Sequence, residues 1–564
     1  LKKPIEMGAL SKNQFASLRA ALEVAKRMGF FHADLEFSSI MKNGFSAILG
    51  NPPWKVVGAK DKGVFPAFDP DFMSTAKSQK KSRRQELINL TPEMESAWWN
   101  ANHSMKSVGN FWSNLKDNRT SPLLAYEYGE GQLDLCTLFL LRAEGLLKEN
   151  GSVGYIVSHS ATFITKNTKP LRQRFFKEWN LREATVFENR AKIFEIDSRV
   201  TFATLIGSPN RKAKSANPAF IQGVTAMGDL DGCSASFDGV KQIHANHHRI
   251  EIGKSLIERI FSPEIFAIPL ITDPREIRLA EELLKPRPGL VRVGDVVDVL
   301  RGIESTAGSK SGVALYREDL AKKGYKVPTF EQMFDPDSEL IPLYKGSFFS
   351  HFDPFYLGHG NEQHYGNLEA KKRAWAAQIE QFGVRKKLYE NENNRRFIES
   401  QKMAWRKISS STNQRTLIPT IIETGHFSDD SAYLAIVKTK SNQGKILANM
   451  SSLVIDLFSR YQVTSNVTSG IVLSLSILKS DSSHLTAASK LVTDLCTAAR
   501  LDLRVKFEGE MILHFCQASN VLLPDDIVSV FTNRFAALNR AEPEFFPQLL
   551  QYLRQNWKGK RVAA

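Results

Sequence analysis

The chain has 564 residues, with 75 Lys+Arg against 60 Asp+Glu, a formal net charge of +15 and a sequence pI near 9.4. A composition that is 42% hydrophobic and 24% charged excludes a largely disordered chain, and the length allows several domains, each with its own core. No run approaches about eighteen consecutive apolar residues and the N-terminal segment lacks the order of a secretory signal, which argues against membrane-spanning and exported proteins. Cys136, Cys233, Cys496 and Cys516 lie too far apart for zinc-ligand spacing or a disulfide scaffold, so a reducing, cytoplasmic setting is expected.

In chain order, the pattern predicts a helix over Asn13 to Met28 and an alternating segment from Phe30 to Phe37. The apolar run Phe45 to Gly50 reads as a buried strand that stops on Asn51-Pro52-Pro53-Trp54, and such a strand delivers side chains to a sheet's carboxyl edge. Residues 58 to 122 form a long polar insertion carrying Lys77, Lys80, Lys81, Arg83 and Arg84. A helix follows over Leu133 to Lys148, with Asn150-Gly151 as its stop, then a strand at Val153 to Val157. A helix from Lys169 to Trp179 and strands at Glu183 to Phe187 and Val200 to Ile206 continue the alternation, as in the second half of a doubly wound sheet. The glycine-rich turn expected of a first half is absent.

Between Lys371 and Arg415 twelve Lys/Arg face four Glu, so +8 of the net charge is concentrated in one stretch, which reads as largely helical. The bland reading is a solvated face. The acids are too few to neutralise it, and Trp375, Phe382, Tyr389, Phe397 and Trp405 interleave the basic residues, which favours contact with nucleic-acid phosphates. The polar run Ser409 to Arg415 is the better candidate for base edges, because Asn and Gln can pair bidentately with adenine and Arg with guanine. The last eighty or so residues read as amphipathic helices.

Asn51 to Trp54 carries the sharpest chemistry. An exocyclic amine is a poor nucleophile because its lone pair is delocalised into the ring. Two acceptors on its hydrogens can localise that pair, and the Asn51 carboxamide oxygen and Pro52 carbonyl could supply them, with Trp54 stacking on a base flipped out of its duplex. The bland alternative is a plain turn after a strand. His244, His247 and His248 lack further ligands for a metal, and none is expected. Asp69 and Asp71 resemble fragments of nuclease motifs but have no Glu-x-Lys partner.

The segment Gly44 to Trp54 resembles the catalytic motif of amino-group DNA methyltransferases, most closely the large adenine methylases of type IIG restriction systems and of phage-defence systems such as DISARM and BREX. The family commonly has Asp where this chain has Ser46. Leu133 to Ser158 and Arg182 to Gly207 are similar to the family's later elements, and Ile341 to Gly346, His351 to Asp353, Arg406 to Ile418 and Asp456 to Arg460 to its target-recognition region.

The resemblance implies an α/β fold: the distal half of a class I, Rossmann-like S-adenosylmethionine methyltransferase sheet, then an α+β target-recognition domain and a helical C-terminus. The expected units are 1–207 for the catalytic-loop half, 208–290 for a connector, 291–480 for the DNA-binding domain and 481–564 for the helical region. It implies catalysis by Asn51, Pro52, Pro53 and Trp54, and, taken with the charge concentration and the polar run, double-stranded DNA held by Lys386, Lys387, Arg395, Arg396, Arg406, Lys407, Asn413, Gln414 and Arg415. The cofactor would be S-adenosylmethionine, but its glycine-rich loop is missing. The chain begins at Leu1 within a helical pattern, so the expectation is a longer protein or a separate polypeptide that supplies the cofactor half, with other defence-system subunits as further partners and no membrane. The rival classes are a DNA-specificity subunit with a vestigial methylase half, and a protein or RNA methylase using the same motif.

Overall fold

The computed structural model describes residues 37–56, 64–75, 79–114, 133–189, 192–209, 219–224, 249–260, 266–358, 367–438, 443–463, 466–497 and 500–557 apart from a few single or paired positions, with short pieces elsewhere. The expected helix over Asn13 to Met28, the Phe30 to Phe37 segment and the three histidines fall wholly or mostly outside these residues.

The first sheet contains β1 (Phe45–Gly50), β2 (Leu147–Ser158), β3 (Trp179–Glu188), β4 (Thr201–Pro209), β5 (Ala219–Val224) and β6 (Arg249–Glu251), in the order β1-β2-β4-β3-β5-β6. β1 runs parallel to β2, while β4 lies antiparallel between β2 and β3. Segment 208–290 therefore contributes two strands, β5 and β6, to this sheet. The odd-numbered residues of β2 from Gly151 to Val157 are buried and their even neighbours are half-open, the alternation of a strand with one covered face.

The strand expected to be buried is an exposed edge. β1 bonds only to β2 among the described residues, and Leu49 is 83% exposed. Strand order explains this: no described element covers the other side of β1. The join to β2 also differs from expectation. The helix ends at Leu146 and the strand begins at Leu147, so Asn150-Gly151 lies inside the strand. A Cβ at Gly151 would sit 2.7 Å from the Phe45 carbonyl oxygen, so glycine there permits the close approach of the two strands rather than ending a helix.

Between β1 and β2 the chain builds α1 (Lys80–Leu90), α2 (Pro92–Asn114) and α3 (Leu135–Leu146). The first two share a small core of Phe65, Phe72, Leu87 and Met94. The Asp134 carboxylate caps α3 by accepting from the Cys136 amide at 2.9 Å, and α4 (Lys169–Phe175) follows β2. Arg174 of α4 forms a buried pair with Glu144 of α3 at 2.6 Å, tying the two helices together.

After α5 (Pro274–Leu283) the chain enters a second unit of two four-stranded sheets, with β7 (Leu290–Arg292) leading into it. One sheet comprises β8 (Val297–Arg301), β12 (Lys402–Arg406), β13 (Pro419–Ile422) and β15 (Ala432–Val437); the other comprises β9 (Ala314–Tyr316), β10 (Leu340–Tyr344), β11 (Gln381–Val384) and β14 (Phe427–Ser428). Helices α6 (Leu368–Ala377) and α7 (Glu392–Glu399) lie between strands, so the basic stretch is a mixture of short helices, strands and turns rather than one helical run. Its core contains Tyr344, Trp375, Phe382 and Leu434. β16 (Ser476–Leu478) returns to pair with β7.

The longer helices that follow are α8 (Gln443–Ser451), α9 (Leu453–Arg460), α10 (Ser483–Thr497), α11 (Leu501–Cys516), α12 (Pro524–Arg534) and α13 (Phe545–Asn556). They share one hydrophobic core with the first sheet, which runs from Leu138 and Trp179 through Phe458 and Met511 to Leu553. The helical end is thus packed into the molecule. Among the described residues no helix is long and apolar enough to cross a membrane.

Candidate catalytic loop and nucleic-acid interface

Asn51 to Trp54 leaves the carboxyl end of β1, where parallel strands of α/β sheets present their ligands. Asn51 and Pro53 are exposed and Pro52 is buried. The segment is fastened at its far end, where the Leu135 amide donates to the Lys55 carbonyl at 2.9 Å and Val56 bridges to Asp134. Trp54 is half-buried: its indole N–H donates to the Ile156 carbonyl of β2 at 3.2 Å, and its ring lies 5.7 Å from Phe202 at an interplanar angle of 25°. Phe194 meets Trp54 edge-on at 5.5 Å.

Phe194 and Phe202 were not singled out in the sequence. The useful signal would have been an aromatic within the connection between β3 and β4 and another at the start of β4, the strand that pairs with β2. His159, at the end of β2, lies 3.2 Å from the Thr201 hydroxyl, and burial pushes its imidazole down to about 4, so it is neutral at neutral pH.

A cavity of about 740 Å³ adjoins this end of β2, with Ser160 and Thr165 on one wall and Arg292, Gln462 and Thr468 on another. The side-chain amide of Gln462 is buried and bonded to no described protein atom. No glycine-rich turn stands beside Asn51 among the described residues, because the free edge of β1 has no neighbouring strand to supply one. The described residues therefore do not by themselves make a glycine-rich cradle for S-adenosylmethionine beside Asn51. No described group of three His, Cys, Asp or Glu is placed to hold a metal.

The basic stretch divides sharply. Of its twelve cations, Arg373, Lys386, Lys387, Arg395 and Arg396 are exposed. Arg395 pairs with Glu399 at 3.1 Å and Arg396 with Asp298 at 2.6 Å, both at the surface, while Lys387 donates to the Ser311 carbonyl at 3.1 Å. Lys407 pairs with Asp430 at 3.2 Å. Lys371 is buried against Asp353 at 2.8 Å, and Lys402 is enclosed, donating to the Ser400 and Glu423 carbonyls. Four of the five interleaved aromatics are core residues: Trp375, Phe382, Phe397 and Trp405 are all at most 2% exposed, whereas Tyr389 is half-buried under Arg385 and Arg395. The four core rings cannot serve as stacking platforms as they stand, because alternate positions of the short elements point inward.

Arg406 and Arg415 turn into the protein. Arg406 donates to the Phe349 carbonyl and lies over the Tyr356 ring at 5.5 Å. Arg415 donates to the Ser451 carbonyl at 2.6 Å and pairs with the buried Glu508 carboxylate of α11. Asn413 and Gln414 are exposed and line a cleft of about 460 Å³ with Tyr356, Arg504 and Phe545. This cleft and the catalytic loop are distinct places in the fold.

In the polar insertion, Lys77 lies outside the described residues and Lys81 is exposed. Arg83 and Arg84 pair with Asp69 and Asp61 at 3.0 and 2.6 Å. Asp69 also caps the turn Pro70–Ser74, which accounts for this acid structurally.

No curated protein matches the chain. Among solved structures, the chain is similar to the type IIL restriction-modification enzyme MmeI in complex with DNA, at 11% identity and a TM-score of 0.36, covering 90% of this chain and 57% of that one. It is also similar to the type IIG restriction endonuclease BpuSI, at 13% identity and a TM-score of 0.29, covering 91% and 55%. A nuclease-deletion mutant of the type ISP restriction-modification enzyme LlaGI, in complex with a DNA substrate mimic, matches at 10% identity and a TM-score of 0.33, covering 82% and 42%. The chain thus spans little more than half the length of the first two. Residues 112–194, which include α3, β2, α4 and β3, match the family described as the Eco57I restriction-modification methylase.

Proposed function

We propose that the chain is the catalytic-loop and DNA-recognition part of an S-adenosylmethionine-dependent DNA adenine N6-methyltransferase in a restriction-modification or phage-defence system. The observation that carries this reading is the placement of Asn51 to Trp54 at the carboxyl end of β1, hydrogen-bonded to a β2 that lies inside the methylase-like segment. In this reading the Asn51 side-chain oxygen and the Pro52 carbonyl accept from the two hydrogens of the adenine amine and hold its lone pair out of the ring plane. Trp54, fixed by Ile156 and Phe202, offers its open side to the flipped base, with Phe194 at the rim. No ionised base is needed to orient the amine, consistent with a neutral His159 nearby.

DNA is held by phosphate contacts from Lys386, Lys387, Arg395, Arg396 and Lys407, and the surface ion pairs of Arg395 and Arg396 exchange readily for phosphate. The methyl donor is bound by a further polypeptide segment beside the open edge of β1. The test is methyl transfer from labelled S-adenosylmethionine to DNA by the complete assembly, with and without Asn51→Ala; equal transfer overturns the role of Asn51.

A second reading, a DNA-specificity subunit with a vestigial methylase half, is favoured by the exposure of β1 and Leu49. Calorimetry with S-adenosylmethionine on the chain and on any co-purifying complex separates the two: binding in neither supports the vestigial half.

A further inference from the structure

The loop from Ser409 to Leu417 is fixed from beneath through its main chain. Arg460, at the end of α9, donates from Nη1 to the Ser411 carbonyl at 2.6 Å and from Nη2 to the Asn413 and Gln414 carbonyls at 2.7 and 2.9 Å. The same Nη1 also donates to the Arg534 carbonyl of α12 at 3.1 Å, and the guanidinium lies 4.0 Å from the Phe535 ring centroid. Asp456, one helical turn earlier, accepts from the Thr416 and Leu417 amides at 3.0 and 2.9 Å. Arg415 is drawn inward to Ser451 and Glu508.

Arg460 and Asp456 are 6% and 1% exposed, so two charges are withdrawn from water largely to hold one short loop. Burial lowers the Arg460 guanidinium to about 10, which leaves it cationic at neutral pH. With the carbonyls and amides directed inward, Thr412, Asn413 and Gln414 are the exposed residues of the loop.

We propose that Arg460, with Asp456, is a specificity-determining positioning residue: it holds the loop in a preformed shape from which the Asn413 and Gln414 side-chain amides read base edges, while Arg415 serves as an internal anchor. This rests on the reading of the chain as a DNA-binding methylase component. A side-chain amide offers one donor and one acceptor in a plane, the complement of the adenine edge, and such pairing discriminates only when the backbone bearing it is held still. Preforming the loop removes the ordering that a mobile segment would undergo on binding.

The experiment uses the full chain and a duplex that it enriches from a random-sequence pool, compared with a scrambled duplex of equal length across a salt series. Asn413→Ala with Gln414→Ala, both at exposed sites, lowers the ratio of specific to scrambled affinity by about tenfold or more while the salt slope and melting midpoint stay at wild-type values. Arg460→Met lowers the same ratio, and Arg460→Lys restores only part of it, because an ammonium cannot span the carbonyls as a planar guanidinium does.

A double variant that keeps the wild-type ratio overturns the proposal, as does an Arg460→Met protein that melts cooperatively and discriminates normally. If the Arg460 variants do not fold, the double variant decides. Failure of the wild-type chain to enrich any duplex, together with no methyl transfer by the complete assembly, removes the functional reading and this inference with it. Methyl transfer with an unchanged ratio in the double variant removes the inference alone.

Discussion

The proposed catalytic segment and the proposed recognition loop are both short, polar and close to a strand end, but they are supported in opposite ways. Among the described residues β1 pairs with β2 alone and Trp54 rests on Ile156, Phe194 and Phe202, while Leu49, Asn51 and Pro53 are exposed. Residues 409–417 are gripped by Arg460, Asp456 and the Arg415–Glu508 pair, all of them charged and largely enclosed. Among the described residues the support is thinner in one place and redundant in the other, and in the proposed reading this separates two tasks: selection of DNA is built into the 409–417 loop, whereas reactivity awaits whatever pairs with the open edge of β1.

The contrast can be broken most forcefully from the recognition side. Glu508→Ala leaves the Arg415 guanidinium buried without its main partner and is expected to lower unfolding stability by about 3–5 kcal/mol, read from the urea midpoint. On the catalytic side Asn51→Ala should leave stability almost untouched, since the residue is exposed, yet lower methyl transfer by the complete assembly by about a hundredfold or more, the order seen when one preorganised polar group is removed.

A smaller effect sharpens the division within the basic stretch. Replacing Lys386, Lys387, Arg395 and Arg396 with Gln should weaken DNA binding by about tenfold and flatten the salt dependence by roughly 0.9 per lost phosphate contact; an unchanged slope would leave these side chains as a solvated face.

A pH effect is also expected at Lys402, whose ammonium is lowered to about 7 by burial. Between that value and its ordinary value of 10.5 the unfolded chain binds the extra proton, so this group makes stability rise with pH across the window. Lys402→Met should therefore stabilise more at pH 6 than at pH 10, measured as the difference in unfolding midpoints.

The elements around the catalytic segment were legible because apolar periodicity and turn residues coincide there: the strand Phe45 to Gly50 and the helix and strand from Leu133 to Val157 appear close to their expected places. What the periodicity could not supply was the neighbour of β1, and hence its exposure. In the basic stretch a count of charges misled in a different way. Trp375 and Trp405 sit among cations in sequence but face a core, and Lys371 and Lys402 are themselves enclosed, because the stretch folds into several short elements whose alternate residues turn inward. The resemblance grouped Asp456 to Arg460 with the segment Arg406 to Ile418, but the hold of Arg460 on that loop could not be read from the sequence, since its acceptors are main-chain carbonyls present at every residue and lie 46 to 49 positions away.

That choice of acceptor has an evolutionary consequence. A carbonyl oxygen is the same whatever side chain stands beside it, so the grip of Arg460 is indifferent to the residues at 412, 413 and 414. Those positions can change their chemistry while the frame beneath them keeps its shape. The loop is thus arranged like an interchangeable tip on a fixed holder, and, if it reads DNA as proposed, retargeting it calls for new side chains rather than a new fold.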